Sequence, residues 1–161
     1  MKIDFSKLNY KFIKKPLLVG GKSMEYYGLR KAGDDIDFIA YKEDVEALIQ
    51  KYPRFVKDLW GDFGLKVYGL EIWKTIDYLY YEDYIGSAIE EDNYFVISLK
   101  DLLYQKAMVM HKPKYLNDLK LVVKKIQEIE GEKYKLITNE NQEIVNSLPE
   151  LKYLEKVGPK E

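Results

Sequence analysis

Two short segments near the N-terminus constrain the fold most strongly. The apolar run Leu17-Leu18-Val19 ends at Gly20-Gly21, which predicts a short buried strand that turns at the glycines. After a spacer of thirteen residues, residues 35–40 begin with alternating polar and apolar side chains, as in a half-buried strand. Because side chains two apart on a strand point the same way, Asp35 and Asp37 share one face of that strand.

The glycines and the acidic pair have complementary chemistry. Two glycines after a buried strand let the backbone pass close to a bulky ligand, and a following helix offers N–H groups to phosphate. Two carboxylates held side by side repel each other and raise each other's pKa unless a cation lies between them. The combination predicts a site for a divalent metal ion and the phosphates of a nucleotide.

Residue counts limit the kind of metal site that the chain can build. The chain has no cysteine and a single histidine, His111, so thiolate sites and multi-histidine sites are excluded. A metal would therefore be held by oxygen ligands, which favours Mg²⁺ or Mn²⁺. The N-terminus lacks a signal-peptide core, and no stretch approaches the roughly 20 apolar residues of a membrane span. We therefore expect a cytoplasmic protein without a membrane partner.

Further apolar segments indicate more strands. A pair of strands is predicted within residues 65–76, interrupted near Gly69, and another short strand is predicted at Phe95-Val96-Ile97. Residues 54–64 and 77–92 carry no clear periodicity. We expect loops in both, with a short irregular helix as the alternative in the second.

Start and stop signals predict the helices. A helix of about two turns is predicted over residues 22–29, with Ser23 as its cap. Ser98 begins a capping box before a second amphipathic helix, and Pro113 opens a further helix that is expected to run to Gly131.

The order of these elements predicts an α/β (α+β) fold. We expect a mixed sheet flanked by helices in a core of about residues 1–100, followed by a helical part over about residues 98–161. Since the chain shows neither a linker nor an internal repeat, we expect residues 1–161 to form one domain.

The glycines and acids together resemble a known signature. In the polymerase β nucleotidyltransferase superfamily, an apolar residue precedes Gly and then Gly or Ser. A spacer of similar length then precedes Asp, an apolar residue, Asp or Glu, and an apolar residue. This chain is similar in that its corresponding residues are Val19, Gly20, Gly21, Asp35, Ile36, Asp37 and Phe38. Gly28-Leu29-Arg30 also resembles the small stand-alone members, including those of abortive-infection and toxin–antitoxin systems.

Two later segments extend the resemblance to roughly residues 16–126. Residues 96–106 resemble the family's apolar strand followed by a helix with an inward Lys, here Lys106. Residues 112–119 resemble its basic residue a few positions before an Asp. His111 departs from the pattern, because relatives often carry Arg there.

The resemblance implies a nucleotidyltransferase fold and a two-metal reaction. A nucleoside monophosphate would move from an NTP to a hydroxyl of RNA or tRNA, a protein or a small molecule, with Mg²⁺ or Mn²⁺ as cofactor. The catalytic, metal-binding acids would be Asp35, Asp37 and, from a neighbouring strand, Glu71, with Asp77 as the alternative third acid. The implied nucleotide-binding residues are Gly20, Gly21, Ser23, Arg30 and Lys106.

Two alternatives stay open at this point. Because the superfamily includes degenerate members, the chain could instead be a catalytically inactive module that binds a nucleotide or a partner, such as an antitoxin-like protein. Asp118 is expected to pair with Lys114 at helical spacing or to cap locally, the alternative being that it holds a Lys or Arg of the site in place.

Overall fold

Nine short strands form two sheets in the computed structural model, which describes residues 3–59, 61–77 and 79–147. The strands are β1 (Leu17–Leu18), β2 (Ile36–Ile39), β3 (Val56–Leu59), β4 (Asp62–Val67), β5 (Leu70–Trp73), β6 (Thr75–Ile76), β7 (Leu79–Tyr80), β8 (Ile89–Glu90) and β9 (Phe95–Val96). Seven of them make one sheet in the order β3-β4-β5-β2-β1-β9-β8. The other two, β6 and β7, pair with each other.

The large sheet is mixed. Strand β2 runs parallel to β5, and β1 runs parallel to β9, while the other neighbouring strands are antiparallel. The helices of the described residues are α1 (Gly20–Tyr26), α2 (Lys42–Lys51), α3 (Tyr81–Ile85), α4 (Leu99–Met108) and α5 (Pro113–Ser147). The predicted α/β class, a mixed sheet with helices and a helical C-terminal half, is confirmed.

Alternation along the central strands separates an apolar face of the sheet from a charged one. Phe38, Ile72 and Leu65 are neighbours across β2, β5 and β4, and all three are fully buried in the core with residues of α2. A second row of neighbours lies beside this one: Asp37 on β2, Glu71 on β5 and Lys66 on β4. Each residue of this row is next in sequence to a residue of the apolar row. Because successive side chains alternate between faces, this charged row lies on the face opposite the core.

Several element boundaries differ from the sequence prediction. Helix α1 begins at Gly20, so Ser23 lies inside it and its hydroxyl donates to the Gly20 carbonyl, 2.8 Å away, in place of capping the helix. Residues 54–64 are not a loop, because β3 pairs with β4 there and the two strands share their backbone hydrogen bonds. In residues 77–92 the short helix is α3, which is flanked by β7 and β8.

The helical half follows the predicted start signals more closely than the predicted stop. Ser98 caps α4 by accepting a hydrogen bond from the Asp101 amide, and Pro113 begins α5, both as predicted. Helix α5 does not end at Gly131 but continues to Ser147, because a single glycine lowers helix propensity by only about 1 kcal/mol. The rest of the predicted helical part, residues 148–161, lies outside the described residues.

The chain divides into two compact units, Met1–Val123 and Lys124–Glu161. The first unit contains both sheets and helices α1 to α4. In the second, the described residues 124–147 belong to helix α5. The prediction of a single domain stays a prediction. Within the part of the chain that the structure describes, no helix has both the length and the apolar character needed to cross a membrane.

Candidate functional site

A cavity of about 400 Å³ opens within the first unit, on the charged face of the large sheet. Seven of the eight residues predicted for the site line it: Gly20, Gly21, Arg30, Asp35, Asp37, Glu71 and Lys106. The eighth, Ser23, is fully buried and is absent from the lining. Residues from β2, β5, α4 and the start of α1 thus meet in one place, although up to 86 positions separate them in the sequence.

The acidic wall of the cavity follows from strand pairing. Asp37 on β2 and Glu71 on β5 are direct partners in a parallel ladder, so their side chains leave the sheet next to each other. Asp35 immediately precedes β2 and is two residues from Asp37. The three acids differ in exposure: Asp35 is exposed, Asp37 is partly buried and Glu71 is buried.

Gly20 makes room for the Asp37 carboxylate. A Cβ atom at Gly20 would overlap Asp37 Oδ2 and lie 3.0 Å from Asp37 Cγ, so the carboxylate would have to move. The residue also has φ +64°, a conformation that L residues with a side chain rarely adopt. Both the acid and the backbone conformation therefore favour glycine at position 20, while a Cβ at Gly21 would make only ordinary contacts.

Two lysines neutralise part of the acidic wall. Lys66, opposite Glu71 on β4, places its ammonium 2.6 Å from Asp35 Oδ1 and 2.8 Å from Glu71 Oε1. Lys57 on β3 approaches the same Glu71 oxygen at 3.2 Å. The hydrogen bond from Lys66 holds the pKa of Asp35 below its ordinary value, and the two carboxylates in turn raise the pKa of Lys66.

Asp37 lacks such a lysine partner on the sheet. Burial raises its pKa to about 6, and the negative charges of Glu71 and Asp35 add to this effect. The positive charge of Lys106 and a hydrogen bond with Trp73 oppose it in part. Asp37 therefore ionises at a higher pH than an ordinary carboxyl group, and added positive charge would favour its ionised form.

A second wall of the cavity is basic and is organised by one buried acid. Asp118 is 2% exposed and receives two hydrogen bonds from the Arg30 guanidinium, from Nε at 2.5 Å and from Nη2 at 2.7 Å. The Lys106 ammonium lies 3.3 Å from the same carboxylate. One negative charge thus serves two cations, and the basic wall keeps an excess positive charge toward the cavity.

The expected pairing of Asp118 with Lys114 is wrong, and its alternative is what the structure shows. The carboxylate of Asp118 points toward α4 and the segment after α1, where Arg30 and Lys106 provide stronger, less solvated partners than a neighbour on its own helix. Burial would raise the pKa of Asp118, but the Arg30 hydrogen bonds and the Lys106 charge lower it overall. Burial lowers the pKa of Lys106, and Asp118 opposes that shift.

The two candidates for the third acid occupy different positions. Glu71 lies directly beside Asp37 in the ladder, whereas Asp77 lines the cavity beyond the end of β5, near Asp62. Asp77 has φ +53° and its amide donates to Asp62 at 3.1 Å. Burial raises the pKa of Asp77, and the charge of Asp62 raises it further. The register thus favours Glu71 as the acid grouped with Asp37.

The donor set fits a hard divalent cation in type but is divided in its arrangement. Asp35, Asp37 and Glu71 offer only carboxylate oxygens, the ligands that Mg²⁺ and Mn²⁺ prefer, and the raised pKa of Asp37 indicates uncompensated negative charge. Within residues 3–59, 61–77 and 79–147, however, no group of three His, Asp or Glu side chains is arranged to hold a metal. The ammonium of Lys66 contacts both Asp35 and Glu71.

Several residues in or beside the cavity were not predicted from the sequence. Lys66 and Lys57 do not line the cavity, but they contact two of the predicted acids. Gln105 and Tyr115 do line it, and the ammonium groups of Lys106, Lys112 and Lys114 lie within 6 Å of the Tyr115 ring centre. A run of lysines around one tyrosine is visible in the sequence, but only the fold brings it to the acids.

Comparison with known proteins adds no family. No family model matches the chain, and neither curated proteins nor solved structures gave a significant match.

Replacing Gly20 by Ala tests how closely the backbone and Asp37 are packed. We expect Gly20→Ala to lower the free energy of unfolding by about 2–4 kcal/mol, because left-handed strain adds to overpacking against the carboxylate. Gly28→Ala is the matched control, since Gly28 has φ +68° but nothing within 4 Å of its added Cβ. Strain alone predicts a loss of about 1–2 kcal/mol there. Equal losses in urea titrations of the two variants would contradict the close packing.

Replacing Asp37 by Asn tests the raised pKa. The pKa of Asp37 is higher in the folded chain than the ordinary carboxyl value, so protonated Asp37 favours the folded state. This contribution to stability is complete below pH 4 and is lost as pH rises through 6. The stability of the wild type relative to Asp37→Asn is therefore expected to fall by on the order of 3 kcal/mol between pH 4 and pH 7.

The measurement is chemical denaturation across that pH range in the presence of a chelator. Asp35→Asn is the control with opposite sign, since the pKa of Asp35 is lowered and its contribution is lost as pH falls. A difference between the wild type and Asp37→Asn that does not change with pH would contradict the assignment.

Proposed function

We propose that this chain is a metal-dependent nucleotidyltransferase that moves a nucleoside monophosphate from an NTP to a hydroxyl group. The observation that carries the proposal is the presence of three carboxylates and two cations in the lining of one cavity. Asp35, Asp37 and Glu71 form its acidic wall, while the partly buried Arg30 and the buried Lys106 form its basic wall. An NTP with its cation needs both kinds of wall, because the triphosphate is anionic and its metal is cationic.

The acidic wall supports binding of Mg²⁺ or Mn²⁺. Asp35, Asp37 and Glu71 would hold the cation through carboxylate oxygens. A bound divalent cation would neutralise phosphate charge and lower the pKa of an acceptor hydroxyl. The carboxyl of Asp37 would then ionise more readily, since its pKa is raised by burial and by like charges that the cation offsets.

The basic wall supports binding of the triphosphate. Lys106 has a side chain only 7% exposed, and Asp118 fixes its ammonium and the Arg30 guanidinium together. These groups would neutralise phosphate oxygens, while Gly20 and Gly21 let the backbone approach them. The volume of about 400 Å³ lies within the range of small-ligand sites.

In the proposed reaction, an acceptor hydroxyl oxygen attacks the α-phosphorus of the NTP in line. The new P–O bond forms as the bond between the α-phosphorus and the oxygen that bridges to the β-phosphate breaks. Pyrophosphate leaves with the negative charge, and the hydroxyl proton is released to solvent. The acceptor class is RNA or tRNA, a protein or a small molecule. We propose that the reaction takes place in the cytoplasm. An antitoxin-like protein partner stays a prediction.

A second candidate function is a catalytically degenerate relative that binds a nucleotide or a partner without transfer. The position of Lys66 favours it, because an ammonium already bridges Asp35 and Glu71 where catalysis would need a cation. The two candidates differ in whether nucleotide binding leads to covalent transfer.

The test is transfer of label from each α-labelled NTP, in the presence of Mg²⁺ or Mn²⁺, to total RNA or to total protein. We expect the wild type to transfer label and the double variant Asp35→Ala/Asp37→Ala to lose about 100-fold or more, because the cation ligands are removed. Asp34→Ala is the matched control, since it removes an exposed neighbouring carboxylate that does not line the cavity.

Each outcome separates the candidates. Transfer by the wild type that survives in the double variant would contradict the assignment of the acids. Metal-dependent NTP binding without transfer to any acceptor would favour the degenerate relative. If the folded wild type bound neither NTP nor metal, both candidates would be wrong.

A further inference from the structure

We propose that Lys66 sets the affinity of the site for a divalent cation, because its ammonium competes with the cation for Asp35 and Glu71. The inference rests on the proposed function, in that it concerns the cation of the same site. It assigns a role to a residue outside the acidic and glycine motifs, and it explains why the acids are assembled but divided.

The position of Lys66 is fixed by the hairpin of β4 and β5. Lys66 and Glu71 are direct antiparallel partners, so their side chains leave the sheet on one face at close range. The hairpin turns at Tyr68 and Gly69, which have φ +52° and +81°. Two adjacent residues with positive φ match a tight two-residue turn, which leaves no freedom to shift the register.

The ammonium of Lys66 makes the contacts that a shared cation would make. It lies 2.6 Å from Asp35 Oδ1 and 2.8 Å from Glu71 Oε1, and so joins a carboxylate before β2 to one on β5. A divalent cation bridging the same oxygens would meet this positive charge at close range. Since like charges at such distances repel strongly in a partly buried site, the two cannot occupy the site together.

Lys66 is also free to leave, whereas Glu71 is not. The Lys66 side chain is 39% exposed, so its ammonium can move into solvent on its flexible stem, but Glu71 is buried on its strand. Lys57 lies 3.2 Å from Glu71 Oε1 and partly neutralises that acid. Cation binding therefore requires the loss of the two Lys66 ion pairs. The free energy of cation binding is made less favourable by the free energy of these two pairs.

The test is a titration of the chain with Mn²⁺ alone, in which the signal of free Mn²⁺ is followed by electron paramagnetic resonance at fixed pH and ionic strength. We expect Lys66→Met to bind Mn²⁺ about tenfold or more tightly than the wild type, because the competing charge is gone. Lys66→Arg keeps the charge and is expected to stay within about threefold of the wild type.

Two controls separate competition from general electrostatics. Lys57→Met removes a lysine that contacts Glu71 but not Asp35, and we expect a smaller gain in affinity than for Lys66→Met. Lys74→Met removes the same charge from a residue that pairs with Glu46, outside the cavity lining, and should leave the affinity unchanged. Lys66→Gln replaces Lys66→Met if thermal unfolding shows that the methionine variant is not folded.

The outcomes distinguish this inference from the proposed function. Equal Mn²⁺ affinity in the wild type and in the folded charge-removing variant would overturn the role of Lys66 while leaving a metal site in place. If neither protein bound Mn²⁺, the role of Lys66 and the cation of the proposed function would both be wrong. A gain of similar size in Lys74→Met would also overturn the inference, since it would show an effect of net charge alone.

Discussion

The carboxylates of Asp37 and Glu71 lie side by side on adjacent parallel strands, on the same face of the sheet, and their negative charges repel each other. The residues around them reduce this repulsion only in part. The Asp37 carboxylate occupies the space that a Cβ at position 20 would need, and Gly20 leaves that space free. Lys66 approaches Glu71 from the adjacent strand β4, and Lys57 approaches it from β3, which lies on the other side of β4. Asp37 is left with a pKa raised to about 6, so the pair is only partly compensated and positive charge is favoured there.

In the basic wall of the cavity, positive charge is the charge that is incompletely compensated. Arg30 and Lys106 are partly or largely buried cations, and a single carboxylate, Asp118, serves both. Burying a charge is tolerable only when it is paired and hydrogen-bonded, which the two short bonds from Arg30 achieve. The result is a cavity with incompletely compensated acids facing incompletely compensated bases. A triphosphate with its cation would complete both walls, which is the physical basis of the proposed transfer reaction.

Local signals predicted the strands around the site, the Ser98 cap and the acids Asp35 and Asp37, because each depends on a few neighbouring residues. Strand β3 was not predicted, because residues 54–64 show no clear periodicity. Glu71 could be chosen only as a member of a predicted strand, and the ladder then placed it beside Asp37.

Lys66 was missed, although a two-residue turn at Tyr68-Gly69 would have placed it opposite Glu71. That Asp118 holds a Lys or Arg of the site was only the alternative expectation, because Arg30 lies 88 positions away and local helical spacing suggested Lys114 instead.

The most direct measurement is a crystal structure of the chain with Mn²⁺ and an NTP analogue that cannot be cleaved at the α–β bond. We expect an anomalous Mn²⁺ peak about 2 Å from an Asp37 carboxylate oxygen and from at least one of Asp35 and Glu71. The triphosphate should lie between that peak and the side chains of Arg30 and Lys106, with the Lys66 ammonium displaced from Asp35. A nucleotide bound away from this cavity, or a fully occupied nucleotide with Lys66 still bridging the acids and no Mn²⁺ peak, would contradict the proposed site.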